Sequence, residues 1–208
     1  MNAVQEGARR GLNHLRKSIA NIKDHATDAA EACIQAHGMK GVNARHIAKD
    51  IGCAVGTLYN HFSSIDELIL AVNLRTLSKL DEALQSASHN TSTGNQGMQA
   101  IAEAYINFAL EHTHAWQTLF DHRMPKHADI PAIYFQQRQQ LFQHIETQMQ
   151  RAHPHMNDEK IKLESRALWS GIQGVCVLAI NKKLDDDHIP FQAIATTLIQ
   201  HFLNQQGE

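Results

Sequence analysis

The stretch CAVGTLYNHF, residues 53–62, sets Thr57, Tyr59, Asn60 and His61 within five positions. Hydroxyl, phenol and imidazole groups can donate hydrogen bonds to phosphate oxygens, and a carboxamide can reach a base edge or a phosphate. The stretch opens on Val55 and Gly56. Glycine inside a helix costs about 1 kcal/mol relative to alanine. Small residues at a helix start let its backbone come close to another surface. Leu58 and Phe62 are spaced to turn inward. The chemistry is that of a short helix whose outer face is kept for nucleic acid.

The elements that must position this helix are helical. Ile22, Ala26, Ala29, Ala30, Cys33 and Ile34 recur at three- and four-residue steps, one apolar helix face closed by His37-Gly38. Asn43 reads as the N-cap of a short helix carrying Ile47, Ala48 and Ile51, and Gly52 ends it. Val55–His61 is the next helix. Ser64-Ile65-Asp66-Glu67 has the form of a capping box opening a long helix with Leu68, Val72, Leu77, Leu80 and Leu84. Two short helices joined by a tight glycine turn form a helix-turn-helix, whose second helix lies in the major groove of DNA. Arg45, at the start of the first of them, is a further candidate for phosphate contact.

Past the polar loop 89–95, helices are predicted at about 96–111, 114–122, 131–152, 158–183 and 190–205, and Asp185-Asp186-Asp187 reads as a solvated turn. No strand alternation and no internal repeat appears. The fold class is all-α.

Composition excludes several classes. The 208 residues are enough for a well-cored body and a small head. No apolar run is long enough to span a bilayer, and no apolar segment follows Arg9, Arg10, Arg16 and Lys17, so no signal peptide is read there. Cys33, Cys53 and Cys176 are scattered, which argues against a disulfide framework and suits a reducing cytoplasm. Residues 1–65 hold 8 Lys/Arg against 5 Asp/Glu, whereas residues 66–208 hold 11 against 16. A basic front and an acidic rear fit a phosphate-facing end joined to a body that avoids phosphates. The 15 histidines are dispersed, and the close pairs His112-x-His114 and His153-x-His155 do not share a helix face. No metal set, cofactor loop, nucleophile elbow or paired-carboxylate motif appears, so neither a metal, a cofactor nor an enzyme is expected.

At IAKDIGCAVGTLYNHFSSIDELILAV, Ile47–Val72, the sequence resembles the TetR family of transcriptional regulators. Ile47-Ala48, Gly52, Gly56-Thr57-Leu58-Tyr59, His61-Phe62 and Glu67-Leu68 fall on the family's usual positions, and the resemblance covers roughly residues 20–75. ALWSGIQGVCVL, Ala167–Leu178, is similar to the helix of the subgroup named for its Trp-His-Gly pattern. Three positions depart: Ala54 where Ser is frequent, Ile65 where Lys is usual, and Gln173 in place of the subgroup's His.

The resemblance implies a cytoplasmic homodimer that binds a palindromic double-stranded DNA operator as a repressor and is released by a small-molecule effector. It implies a basic N-terminal extension at 1–18, a helix-turn-helix domain at 19–65 and a ligand-binding and dimerisation domain at 66–208. DNA contact is expected from Arg45, Val55, Gly56, Thr57, Tyr59, Asn60 and His61. A largely apolar effector would be lined by residues drawn from Ile101, Tyr105, Phe108, Trp116, Phe120, Phe135, Phe142, Trp169 and Gln173. The last two helices would pair between subunits through Leu168, Ile172, Val175, Ile194, Leu198 and Phe202. The alternative is an architectural DNA-binding protein with no ligand, for which a body without a ligand-sized cavity is the discriminating observation.

Overall fold

Every regular element that the described residues form is a helix. The computed structural model describes residues 22–89, 91–184 and 190–204. The N-terminal extension at 1–18 and the Asp185-Asp186-Asp187 run lie outside the described residues. In chain order the helices are α1 (22–37), α2 (Ala44–Asp50), α3 (Val55–Tyr59), α4 (Ile65–His89), α5 (Gly94–Glu111), α6 (Thr113–Asp121), α7 (Ala132–Ala152), α8 (Asp158–Ile180) and α9 (Phe191–Asn204), with a single 3-10 turn at Met39–Gly41.

The helix ends follow their sequence signals closely. The N–H of Gly38, at φ 70°, bonds back to the Ile34 carbonyl and stops α1. Asn43 caps α2 by accepting from the Arg45 N–H at 2.9 Å. Gly52, also at φ 70°, turns the chain from α2 into α3. α5 starts two residues earlier than periodicity alone places it, at Gly94. The reason is a complete capping box: Thr93 accepts from the Gln96 N–H and Gln96 accepts from the Thr93 N–H. α8 stops at Ile180, short of the expected 183, because Lys182 takes up φ 53° and the chain leaves the helix through Asn181. At the head of α4, Ser64 Oγ accepts from the Glu67 N–H at 3.2 Å, but Glu67 reaches back to the N–H and hydroxyl of Ser63 rather than to Ser64.

The chain divides into two compact units. The first runs through Arg75 and includes 117–129; the second comprises 76–116 and everything from Ile130 onward. The division falls inside α4 and inside α6. The first unit buries Ala26, Ala30, Ile34, Ile47, Ala48, Leu58, Phe62, Leu68 and Val72. The second has one core built from the end of α4 and from α5, α7, α8 and α9, with Met98, Tyr105, Trp116, Met149, Leu168, Ile172 and Ile199 at its centre.

Within the second unit α5 is the central helix and packs on α7, α8 and α9. Its approach to α7 requires glycine. A Cβ on Gly94 would overlap the Gln148 carbonyl and the Ala152 backbone, and one on Gly97 would overlap the buried Gln148 side chain. The Gln148 side chain can move aside, whereas the backbone at Gly94 cannot. Gly94→Ala is therefore expected to destabilise the protein by about 1–3 kcal/mol, although alanine is the better helix former. Denaturant unfolding measures it, and a Gly94→Ala protein as stable as wild type would refute the close helix crossing.

Candidate nucleic-acid interface and aromatic core

α3 is five residues long and has no side-chain cap. A helix this short is not stable alone, so packing must hold it. That packing is Leu58, 1 % exposed, and Phe62, 4 % exposed. The backbone continues the grip: Leu58 N–H bonds to Ala54 O, and both His61 and Phe62 N–H groups bond to Leu58 O. With Leu58 facing inward, Tyr59 is 48 % exposed, Gly56 and Asn60 are exposed, and Val55, Thr57 and His61 are half-buried. A Cβ on Gly56 would meet nothing within 4 Å, so no neighbour in the chain requires glycine there. Arg45 is exposed at the start of α2, with His46 and Lys49 exposed along the same helix. Of the seven residues expected to contact DNA, Arg45 lies on α2 and Val55, Gly56, Thr57 and Tyr59 on α3, Asn60 caps α3 and His61 follows it, while Leu58 and Phe62 face inward.

The first unit also contains two polar clusters that periodicity does not reveal. His122, just past α6, has a side chain only 4 % exposed. Its Nε2 lies 3.3 Å from Asp66 Oδ1 and its Nδ1 lies 3.2 Å from Asn73 Nδ2. Asp66 and Asn73 are seven residues apart, on one face of α4, so the imidazole bridges its first turns. A neutral ring satisfies both contacts, donating from Nε2 to Asp66 and accepting at Nδ1 from Asn73. The second cluster gathers Asp24, Asp28 and Glu31 of α1 around Arg75 of α4, with Glu31 at 3.5 Å and Asp24 at 3.7 Å. Burial alone would lower the Arg75 pKa; the paired carboxylates, Asp28 foremost, outweigh it and raise the value.

In the second unit, Ile101, Tyr105, Phe108 and Trp116 are all buried. Tyr105 and Trp116 meet edge to face with centroids 6.3 Å apart, as do Phe142 and Trp169 at 5.4 Å. The Tyr105 hydroxyl donates to Gln173 Oε1, which gives the departing Gln173 a definite partner. Burial pushes the Tyr105 pKa upward, so this phenol stays protonated. An open recess of about 350 Å³ borders Phe108 between α4 and α5. Burial likewise pushes the Cys176 thiol up to about 12, and burial together with Asp50 raises Cys33.

Two groups of the expected site residues divide by burial. Phe120 belongs to the first unit and is 40 % exposed, and Phe135 is 49 % exposed, so neither stands in the buried aromatic set. On α8, Leu168, Ile172 and Val175 are buried in the chain's own core. Ile194, Leu198 and Phe202 of α9 pack on that same core, with Leu198 against Gly171. The most apolar face of α8 therefore turns inward. Its outward stripe is a second one: Leu163, Ala167, Ser170, Gly174, Val177 and Leu178 are all exposed. That stripe recurs at steps of three and four and could have been read from the sequence, but its small residues make it the weaker of two periodic signals.

Comparison with known proteins agrees with this geometry. The model of "Bacterial regulatory proteins, tetR family" matches residues 26–72, and that of "Tetracyclin repressor-like, C-terminal domain" matches residues 98–202. The uncharacterized HTH-type transcriptional regulator YobS of Bacillus subtilis is 29 % identical over 85 residues, 40 % of this chain and 44 % of that protein. The HTH-type transcriptional activator FasR of Mycolicibacterium smegmatis is 29 % identical over 93 residues, 45 % of this chain and 42 % of that protein. These matches span less than half the length of either relative. A solved structure of a protein of unknown function from Rhodococcus sp. RHA1 shares the fold, with a TM-score of 0.74 at 19 % identity, covering 88 % of this chain and 94 % of that one. The second of the two family models alone spans half of the sequence, and the first falls on the α2–α3 motif; the chain belongs to the tetR family of bacterial regulatory proteins.

Proposed function

We propose that this DNA-binding transcriptional regulator is a cytoplasmic repressor. It binds a palindromic operator as a homodimer and leaves it when a small, largely apolar effector enters the body. Residues 19–65 carry DNA contact in this reading, with 1–18 as a basic extension, and 66–208 carry effector binding and pairing. The observation that carries it is α3: a helix held by Leu58 and Phe62 that leaves Gly56, Tyr59 and Asn60 exposed. A second reading, activation, draws on the printed name of the M. smegmatis relative. A reporter gene fused to a bound promoter separates the two, since deleting the regulator raises expression under a repressor and lowers it under an activator.

Selection of duplexes from a randomised pool by the full chain is the primary test. A palindromic motif is expected, and recovery of no enriched sequence would refute operator recognition. Tyr59→Ala should then weaken binding about tenfold for each bound subunit, about a hundredfold for the dimer, at about 1.4 kcal/mol per charge-assisted hydrogen bond, and should do so across sequences because phosphates carry no base information. Unchanged affinity in this variant would remove α3 from the interface.

Pairing has a candidate surface in the outward stripe of α8. Leu163 is 68 % exposed, Val177 41 % and Leu178 43 %, and a Cβ on Gly174 would meet nothing within 4 Å. Small residues between apolar ones let a second helix approach closely. Val177→Glu with Leu178→Glu should yield a folded monomer in sedimentation, because neither side chain is part of the chain's own core. A persistent dimer would place the pairing surface elsewhere.

Effector response is assigned to the aromatic core around the Tyr105–Gln173 hydrogen bond. A tenfold loss of operator affinity needs only about 1.4 kcal/mol of differential effector binding. Gln173→Leu should shift the half-releasing concentration of a hit compound about tenfold while leaving operator affinity at its wild-type value. Identical release curves would move the effector site away from this core.

A further inference from the structure

We propose that Lys23 of α1 is a phosphate-binding residue of the DNA head, held beside the end of α3 by the ring of Phe62. This rests on the reading of α2 and α3 as the DNA-contacting helices. Affinity for duplex DNA comes largely from cations that neutralise phosphates. α3 carries none: Val55, Gly56, Thr57, Leu58 and Tyr59 are uncharged, and Asn60 follows. Cations for the helix that reads the groove therefore come from neighbouring elements: Arg45 at the start of α2 is one, and α1 offers another.

Lys23 is placed to supply it. Its side chain is exposed, and its Nζ stands 5.5 Å from the centroid of the Phe62 ring, three residues after Tyr59. Phe62 is 4 % exposed, so the ring is fixed in the core and offers a rigid seat. Contact with an aromatic face holds an ammonium in place while leaving N–H donors free for a further acceptor. The Thr27 hydroxyl donates to the Lys23 carbonyl at 2.8 Å, which ties down the backbone from which the side chain departs. The carboxylates nearest in sequence do not compete for the ammonium: Asp24 and Asp28 are both drawn to Arg75. Arg75 thus holds Asp24 and Asp28, while the Lys23 ammonium stands over Phe62, three residues beyond the exposed Tyr59. Phe62 serves twice, as the core anchor of the motif and as the platform for a cation from another helix.

The test uses the full chain and a duplex that it selects from a randomised pool, with affinity measured by fluorescence anisotropy over a range of salt concentrations. Lys23→Met keeps an apolar stem over Phe62 and removes the charge. Its log affinity against log salt should be shallower by about 0.9 for each bound subunit. The loss at low salt should be similar for matched and mismatched duplexes, and the thermal midpoint should stay at the wild-type value. Lys23→Arg should restore the slope; if Lys23→Met lowers the midpoint, Lys23→Arg against Lys23→Gln gives the same comparison of charge. Lys162→Met, on α8, is the control and should leave the slope unchanged. An unchanged slope without the Lys23 charge, failure of Lys23→Arg to restore it, or an equal effect of Lys162→Met would each overturn the proposal. Failure to select any duplex would overturn it together with the DNA reading, whereas a selected duplex indifferent to Lys23 would overturn it alone.

Discussion

The burial of Leu58 and Phe62 is the contact on which the DNA-facing unit depends. A five-residue helix with no side-chain cap has no stability of its own. Gly56 makes it weaker still, by about 1 kcal/mol of helix propensity. What keeps these residues helical is the removal of two large apolar side chains from water. That burial is worth about 1.5–3 kcal/mol for each side chain. It also fixes the helix in rotation, since inward Leu58 puts the neighbouring Tyr59 outward. The exposed polar face is thus a consequence of the buried one.

Around that anchor, charge and hydrogen bonding hold the remaining elements of the first unit. Arg75 draws together three carboxylates spaced along α1, of which Asp24 and Asp28 are exposed, so each of those pairs is worth about 0–1 kcal/mol. His122 holds Asp66 and Asn73 from a segment about fifty residues away in sequence. Truncating this buried ring would leave the buried Asn73 amide without its partner, at about 1–3 kcal/mol, whereas Asp66, a third exposed, can turn to water. Both clusters act on α4, the helix that directly follows the recognition motif.

The second unit shows a different economy. Its centre is aromatic and apolar, and the polar side chains it takes in include Tyr105, bonded to the half-buried Gln173, and the buried Gln148 and Ser165. α5 comes close to α7 because Gly94 and Gly97 lack side chains. α8 is apolar on two sides: one packs inward against α5 and α9, and the other faces out from Leu163 to Leu178. A helix with two such faces defeats a reading that assigns it a single direction. The stronger stripe, Leu168, Ile172 and Val175, belongs to the chain's own core.

Local physics made much of this legible in the sequence. The period of apolar residues marks the helices, because one face of each is buried. Asn43, Gly38 and Gly52 mark their ends, because a cap or a left-handed turn depends on residues adjacent in the chain. The α2–α3 motif and the side chains it exposes follow from the same short-range rules. Tertiary structure alone decided what depends on distant partners. It put Phe120 in a different unit from the aromatic core, gave Gln173 to Tyr105, brought His122 to α4, and set Lys23 over Phe62. None of these pairs has a periodic signature, because a contact between separate elements is set by how those elements pack and not by spacing along the chain.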